Sequence, residues 1–366
     1  MENICFFNSI NFWGGGEKLH LENAIEFKKK SYNVILMSNP NSPLWGKAAS
    51  AGLITYPIIV NNLSFLNPFK IVKLILFYRI KKIDTVIFSS SQDLKLGSIS
   101  AKLAGVKNIV YLRGLAVPIK ASIVNRIIFK SILTHIVSNS EETKRNILKY
   151  LGKYINKDKV RTIYHGINVR KLKNDNTSKL NEIQAKGHGV ILGNAGRLTP
   201  QKGHKKLLKI AKKLKDKQID FTLFIAGTGE LQSELEILID EHNLQKEVIL
   251  LGFVDDMDRF MNSIDIFVLS SIWEGFGFVL VEAMINSKPI VAFNITSNPE
   301  IVKADSAGFL VDYPDLEMFA EKTSKLIKDE GLRKKMGEAG MKSVLERFVI
   351  EDRISEFESY LIMGNS

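Results

Sequence analysis

Cysteine is almost absent from this chain: Cys5 is the one thiol in 366 residues. A single thiol excludes an internal disulfide framework and fits a reducing compartment. Met1-Glu2-Asn3-Ile4 has no basic segment leading into an apolar core, so no signal peptide is expected. Residues 48–69 carry no charge, but Pro57, Asn61, Asn62 and Pro68 interrupt them. Their apolar centre, residues 54–60, has the length of a strand, so no membrane span is expected. The histidines His20, His135, His188, His204 and His242 show no metal-ligand spacing, and no zinc pattern is found. An aromatic RNA-binding signature is also missing. Neither a bound metal nor nucleic acid is expected. No G-x-G-x-x-G follows the first predicted strand, which argues against a dinucleotide cofactor. Acids are fewer than bases, 39 against 51, for a net charge of +12. Such a surface attracts phosphates or anionic lipid.

Apolar residues make up 45% of the chain, enough for two ordinary cores. The first half alternates strands and helices. Strands are predicted at residues 3–7, 34–36, 55–60, 85–88, 108–112, 135–137 and 161–164. Residues 168–189 are polar and lysine-rich. A second series follows, with strands at 190–194, 222–226, 248–251, 266–269 and 289–293. Alternation at this spacing predicts α/β domains with doubly wound parallel sheets. The expected organisation is a first domain over 1–168, an interdomain region over 169–189, a second domain over 190–345, and a C-terminal helix in 346–366.

The most informative stretch is Glu274-Gly275-Phe276-Gly277-Phe278-Val279-Leu280-Val281-Glu282. It follows the apolar run Ile266–Leu269, so a strand feeds a glycine loop that opens a helix. Gly275 and Gly277 allow a ligand close to the backbone, and the helix start can hold a phosphate. Glu274 lies in the loop and Glu282 within the helix, where carboxylates can accept bonds from sugar hydroxyls. A sugar, a phosphate and a second sugar describe a nucleotide sugar. Upstream, Gly196-Arg197-Leu198-Thr199-Pro200-Gln201-Lys202-Gly203 sits at the end of another strand. There Arg197 and Lys202 can neutralise a departing diphosphate.

These motifs resemble the retaining glycosyltransferases of the GT-B fold, glycosyltransferase family 4. The resemblance implies two facing Rossmann-like domains with a cleft between them, and a C-terminal helix packing back on the N-terminal domain. It implies that Glu274, Arg197 and Lys202 act in catalysis and that Glu282 binds the ribose. Gly15 and Gly16, Gly227 and Gly229, Phe253 and Val254, and Gly275, Phe276 and Gly277 would line the donor site. The co-substrate implied is a UDP- or GDP-sugar, with no further cofactor. The implied acceptor is a glycan or a lipid-linked glycan of cell-surface polysaccharide or lipopolysaccharide synthesis. The family's N-terminal histidine is replaced by Arg113, an acceptor-side candidate. With no evident protein nucleophile, a front-face mechanism is implied. A sugar-nucleotide epimerase or hydrolase of the same fold, and a non-catalytic nucleotide-sugar binder, stay open.

Two further segments have two readings each. Asp256-Met257-Asp258 has a metal-binding D-x-D form, but its position before a predicted helix favours capping. Residues 69–82 are basic and apolar with no acid, which suits either an interfacial helix on an anionic leaflet or a core helix with solvated lysines. The expected location is cytoplasmic, with a peripheral association at the inner face of the cytoplasmic membrane.

Overall fold

Ile4, Cys5, Phe6 and Phe7 are fully buried, as a strand covered by helices on both faces requires. They belong to β1 (Asn3–Asn8), at the centre of the first sheet in a computed structural model that describes residues 2–169 and 180–363. The other strands of that sheet are β2 (Asn33–Ser38), β3 (Ile54–Pro57), β4 (Thr85–Phe88), β5 (Asn108–Arg113), β6 (His135–Ser138) and β7 (Val160–Thr162). Their order is β3-β2-β1-β4-β5-β6-β7, all parallel. Pro57 ends β3 at the sheet edge, where a missing N–H does least harm.

The second sheet contains β8 (Val190–Ala195), β9 (Phe221–Ala226), β10 (Val248–Gly252), β11 (Ile266–Leu269), β12 (Ile290–Phe293) and β13 (Gly308–Val311). Its order is β10-β9-β8-β11-β12-β13, again parallel. Both sheets therefore reverse winding direction once, between β1 and β4 and between β8 and β11. At such switch points the loops beyond the carboxyl ends of the strands part and leave a crevice for ligands.

The chain forms two units. One takes in the chain to Gly166 and again from Ile350, and the other is Ile167–Val349. Residues 180–189 of the expected interdomain region belong to the second unit. Helix Asn181–Lys186 buries Ile183, and the Leu180 N–H donates to Ser263 Oγ at 2.8 Å. Residues 170–179 of that region lie outside the described residues. The last helix, Ile350–Met363, returns to the first unit. Phe357 stands edge-on to Phe27 at 5.6 Å, and the Tyr360 hydroxyl donates to the Lys159 carbonyl at 2.7 Å. Helix Pro43–Ser50 and strand β13 are among the short elements that escape the sequence reading. Both are too short for a periodic signal, and Ser42 capping with Pro43 at the first helical position marks the former.

His20 lies on helix Gly15–Lys29 with its ring edge-on to Phe6 at 5.1 Å, fully buried. Burial pushes its pKa down to about 3. A histidine held neutral contributes stability above its unfolded pKa, and that contribution is lost as pH falls through about 6.5 toward 3. By pH 4 the loss is about 3 kcal/mol. His20→Leu is expected to flatten this acid limb in denaturant titrations at several pH values; an unchanged slope between pH 6.5 and 4 would refute it.

Candidate active site

Two loops meet at the switch point of the second sheet. The loop after β8 ends in Gly203, whose φ is +67°, with a Cβ position only 2.0 Å from the Ser270 carbonyl oxygen. Only glycine permits both the left-handed backbone and that approach. The loop after β11 is then laced to it. Ser270 Oγ donates to the Lys202 carbonyl at 3.0 Å, the Ile272 N–H to the Gln201 carbonyl at 2.7 Å, and Gln201 Nε2 to the Trp273 carbonyl at 3.0 Å.

This lacing delivers Lys202 to Glu274. Lys202 Nζ lies 2.7 Å from Glu274 Oε1, and Ser271 Oγ donates to the same oxygen at 2.6 Å. Glu274 is only 5% exposed. Its backbone is fixed as well: its N–H donates to Thr296 Oγ1 at 3.0 Å, and Ser297 Oγ donates to its carbonyl at 3.3 Å. Thr296 takes a φ of +43°, an unusual conformation for a β-branched residue. The sequence reading placed Glu274 and Lys202 in the site but missed Ser271, Thr296 and Ser297. No local pattern marks Thr296, which lies 22 residues from Glu274.

His204 opens helix His204–Asp216 directly after this loop and is fully buried. Its Nε2 is 3.1 Å from Asn194 Oδ1, and Asn194 Nδ2 donates to the Val268 carbonyl at 2.7 Å. This chain ties β8 to β11 beneath the site. Burial, aided by the nearby Lys202 charge, lowers the His204 pKa to about 4, so the ring is neutral at physiological pH.

Arg197 is exposed on the same β8 loop. Gly277, at φ +72°, precedes helix Phe278–Ile285, whose N–H groups point toward the loop. Glu282 is half-buried in that helix between buried Val281 and Ala283. Phe253 is 69% exposed just beyond β10, with half-buried Val254 after it. An exposed aromatic at a strand end can stack on a flat base.

Other candidate residues do something different. A Cβ on Gly227 would lie 1.9 Å from the Gly196 oxygen, and one on Gly229 would lie 2.4 Å from the Leu198 oxygen. The Gly196 N–H donates to Ala226, Leu198 to Thr228 and Leu231 to Leu198. These two glycines let the loops after β8 and β9 zip together; the close approach at each is protein backbone. The Phe276 ring is buried, edge-on to Phe278 at 5.3 Å and to Phe348 at 5.7 Å, so its side chain is core packing.

Arg113, in the first unit, is also a structural group. It is buried at the end of β5. Its Nε donates to the Leu115 carbonyl at 3.0 Å, Nη2 to the Val117 carbonyl at 3.1 Å, and Nη1 to the Tyr111 hydroxyl at 3.0 Å and Ser91 Oγ at 3.3 Å. Nε and Nη2 hold the loop after β5, and Nη1 ties β5 to helix Ser91–Ala104, which leaves little donor capacity for an acceptor. Gly15 and Gly16 are exposed in the first turn of helix Gly15–Lys29. At the switch point of this sheet, buried Asp93 accepts from the Ser9 N–H at 2.9 Å and from Ser9 Oγ and Ser90 Oγ, each at 2.5 Å. Asp256 caps helix Met257–Ser263, its Oδ1 accepting from the Arg259 N–H at 3.0 Å. No metal-holding cluster of three His, Cys, Asp or Glu occurs among the described residues.

The family described as glycosyl transferases group 1 matches residues 175–343. The chain is 26% identical over 338 residues to the Escherichia coli UDP-Gal:alpha-D-GlcNAc-diphosphoundecaprenol alpha-1,3-galactosyltransferase, covering 87% of this chain and 86% of that protein. It is 29% identical over 240 residues to the capsular polysaccharide biosynthesis glycosyltransferase CapM of Staphylococcus aureus, covering 62% and 60%. Its fold matches that of Anabaena Alr3699/HepE, solved in complex with UDP, with a TM-score of 0.85 at 19% identity, over 99% of this chain and 100% of that one. Residues 175–343 match the glycosyl transferases group 1 family, and the chain is a glycosyltransferase of the GT-B fold.

Proposed function

We propose that the protein is a retaining hexosyltransferase that moves a sugar from a UDP-sugar to a glycan or lipid-linked glycan acceptor in cell-surface polysaccharide synthesis. The observation that carries this reading is the Lys202–Glu274 pair at the switch point of the second sheet. It sets a cation for a diphosphate beside a carboxylate for sugar hydroxyls. Arg197, Lys202 and the helix start after Gly277 hold the diphosphate. Glu274 orients the transferred sugar, Glu282 takes the ribose hydroxyls, and Phe253 with Val254 covers the base. Within the first unit, the helix start at Gly15 and Gly16 has N–H groups of its own that can hold an anion. The E. coli relative, by its name, uses a UDP-sugar and an undecaprenol diphosphate acceptor. That supports a UDP donor over GDP and a lipid-linked acceptor, which our reading puts at the inner face of the cytoplasmic membrane.

The chemistry follows from the charges. The bond from the anomeric carbon to the donor phosphate oxygen breaks while the acceptor hydroxyl oxygen bonds to the same carbon. The leaving phosphate takes the acceptor proton, and the cations stabilise the charge left on it. Attack on the face the phosphate leaves retains the anomeric configuration.

The test is the purified chain with a panel of UDP-hexoses and a polyprenyl-diphosphate-linked sugar, the product anomer being read by NMR before mutarotation. UDP release that depends on acceptor, with an α-linked product from an α-configured donor, is expected. Transfer is expected to persist in EDTA. An inverted product would overturn the retaining assignment, and activity lost in EDTA and restored by a divalent cation would overturn the purely cationic account of the leaving group.

A further inference from the structure

The helix Pro68–Ile80 buries one face and leaves the other apolar. Leu74, Phe77 and Tyr78 enter the core of the first unit. Phe69 is 85% exposed, and Val72, Leu76 and Ile80 are exposed as well. At 3.6 residues per turn these four fall within about 80° of one another, opposite the buried face. Leu63 and Leu66, in and beside the short turn before the helix, are exposed too. Single exposed apolar side chains are ordinary on a protein surface; four along one helix face, with two more in the turn before it, call for a partner.

The charges select the partner. By the same helical geometry Lys73 and Arg79, both exposed, flank the stripe on either side, and Lys81 and Lys82 follow it. Between Ile54 and Ser140 the chain has twelve Lys or Arg and only two acids, Asp84 and Asp93. Asp84 accepts from the Asn3 N–H at 2.8 Å, and Asp93 is fully buried. The lysine-rich helix His204–Asp216 of the second unit is different: Lys205 pairs with Glu234, Lys213 with Glu317 and Lys215 with Glu247. An apolar stripe edged by cations and cleared of acids matches the layering of an anionic bilayer, with acyl chains below and phosphates beside.

We propose that this face, Leu63 and Leu66 with Phe69, Val72, Leu76 and Ile80, is a docking surface for an anionic lipid bilayer. The apolar stripe enters the acyl boundary, and Lys73 and Arg79 meet the headgroup phosphates. The proposal deepens the membrane-surface part of the functional reading and rests on it. The surface would keep the first unit where a lipid-linked acceptor is presented.

The test is co-sedimentation with phosphatidylcholine vesicles with and without phosphatidylglycerol, at low and high salt. Transfer to a soluble short-glycan acceptor is measured separately. The wild-type chain is expected to bind the anionic vesicles alone and to be released by salt. Lys73→Ala/Arg79→Ala is expected to bind about thirtyfold more weakly. Phe69→Ser/Leu76→Ser is expected to lose about tenfold or more. Phe69 and Leu76 lie on an exposed face, so that pair should leave melting temperature and soluble transfer unchanged; Arg79 Nη2 also donates to the Leu103 carbonyl at 3.1 Å, so the charge pair is compared on folded protein with soluble transfer intact. Equal vesicle binding by the Phe69→Ser/Leu76→Ser variant and the wild type overturns the proposal. So does a wild-type dimer that this variant converts to monomer, which would assign the face to a second copy. So does RNA binding that competes the vesicles away. If vesicle binding follows expectation and no sugar is transferred to any acceptor, the transferase reading fails and the docking surface stands.

Discussion

Lys202→Ala is expected to cost the protein stability and turnover together, and Glu274→Gln turnover with little loss of product affinity. The reason is that the two side chains share one hydrogen bond at 2.7 Å in a largely buried setting. Removing the lysine leaves the carboxylate with the Ser271 hydroxyl bonded to it. Breaking a buried pair from one side costs about 3 kcal/mol or more, mostly the penalty of the stranded charge. The double variant Lys202→Met/Glu274→Leu strands nothing and should recover much of that stability while staying inactive. In a double-mutant cycle the two sites are therefore expected to be strongly non-additive in stability. For turnover, each single variant should lose about a hundredfold to a thousandfold, the usual effect of removing a group aimed at developing charge. Affinity for free UDP separates the roles. UDP has the diphosphate and ribose but no transferred sugar, so Lys202→Ala should weaken it. Glu274→Gln should leave it intact or tighten it, because the ammonium no longer has a competing carboxylate. Calorimetric titration of UDP into folded variants decides the matter, and equal weakening by both substitutions would overturn this division of roles.

Gly227→Ala is expected to destabilise the second unit more than any exposed substitution discussed above. Gly227 has a φ of +142°, and its added Cβ would lie 1.9 Å from the Gly196 carbonyl oxygen. Neither atom can swing aside, because both belong to backbone in a laced pair of loops. The Gly227 N–H is itself committed to the Gly252 carbonyl at 2.7 Å. The cost combines a left-handed strain of about 1–3 kcal/mol with an overpacking term of similar size, so roughly 4 kcal/mol in all. For a unit of this size that lowers the melting temperature by about 10–15 °C. Gly16→Ala is the control: nothing lies within 4 Å of its added Cβ, and alanine there is expected to be neutral or slightly stabilising. A Gly227→Ala chain that melts with the wild type, by calorimetry, would show that the two loops can separate at little cost.

The amino-acid sequence by itself determined the alternation of strand and helix, and with it two doubly wound sheets. Runs such as Ile4–Phe7 and Ile266–Leu269 announce buried parallel strands, because side-chain period is a property of the local backbone. Asp256 was legible as a helix cap for the same reason: its partner, the Arg259 N–H, is three residues away. The glycine and charge pattern at 196–203 and 274–282 singled out two loops that the fold brings together. Tertiary structure decided which of those groups touch. Lys202 and Glu274 are 72 residues apart and meet because β8 and β11 are neighbours at the point where the sheet reverses its winding. Nothing within either loop encodes that adjacency. The same limit applies at three other candidate positions. Gly227 and Gly229 look in sequence like room left for a ligand, yet the room is taken by the loop after β8. Arg113 looks like a free cation at a strand end, yet its donors go to two carbonyls of the loop after β5 and to the Tyr111 and Ser91 hydroxyls. A residue type states what bonds a side chain can form; only the packing of distant segments determines which partner arrives to form them.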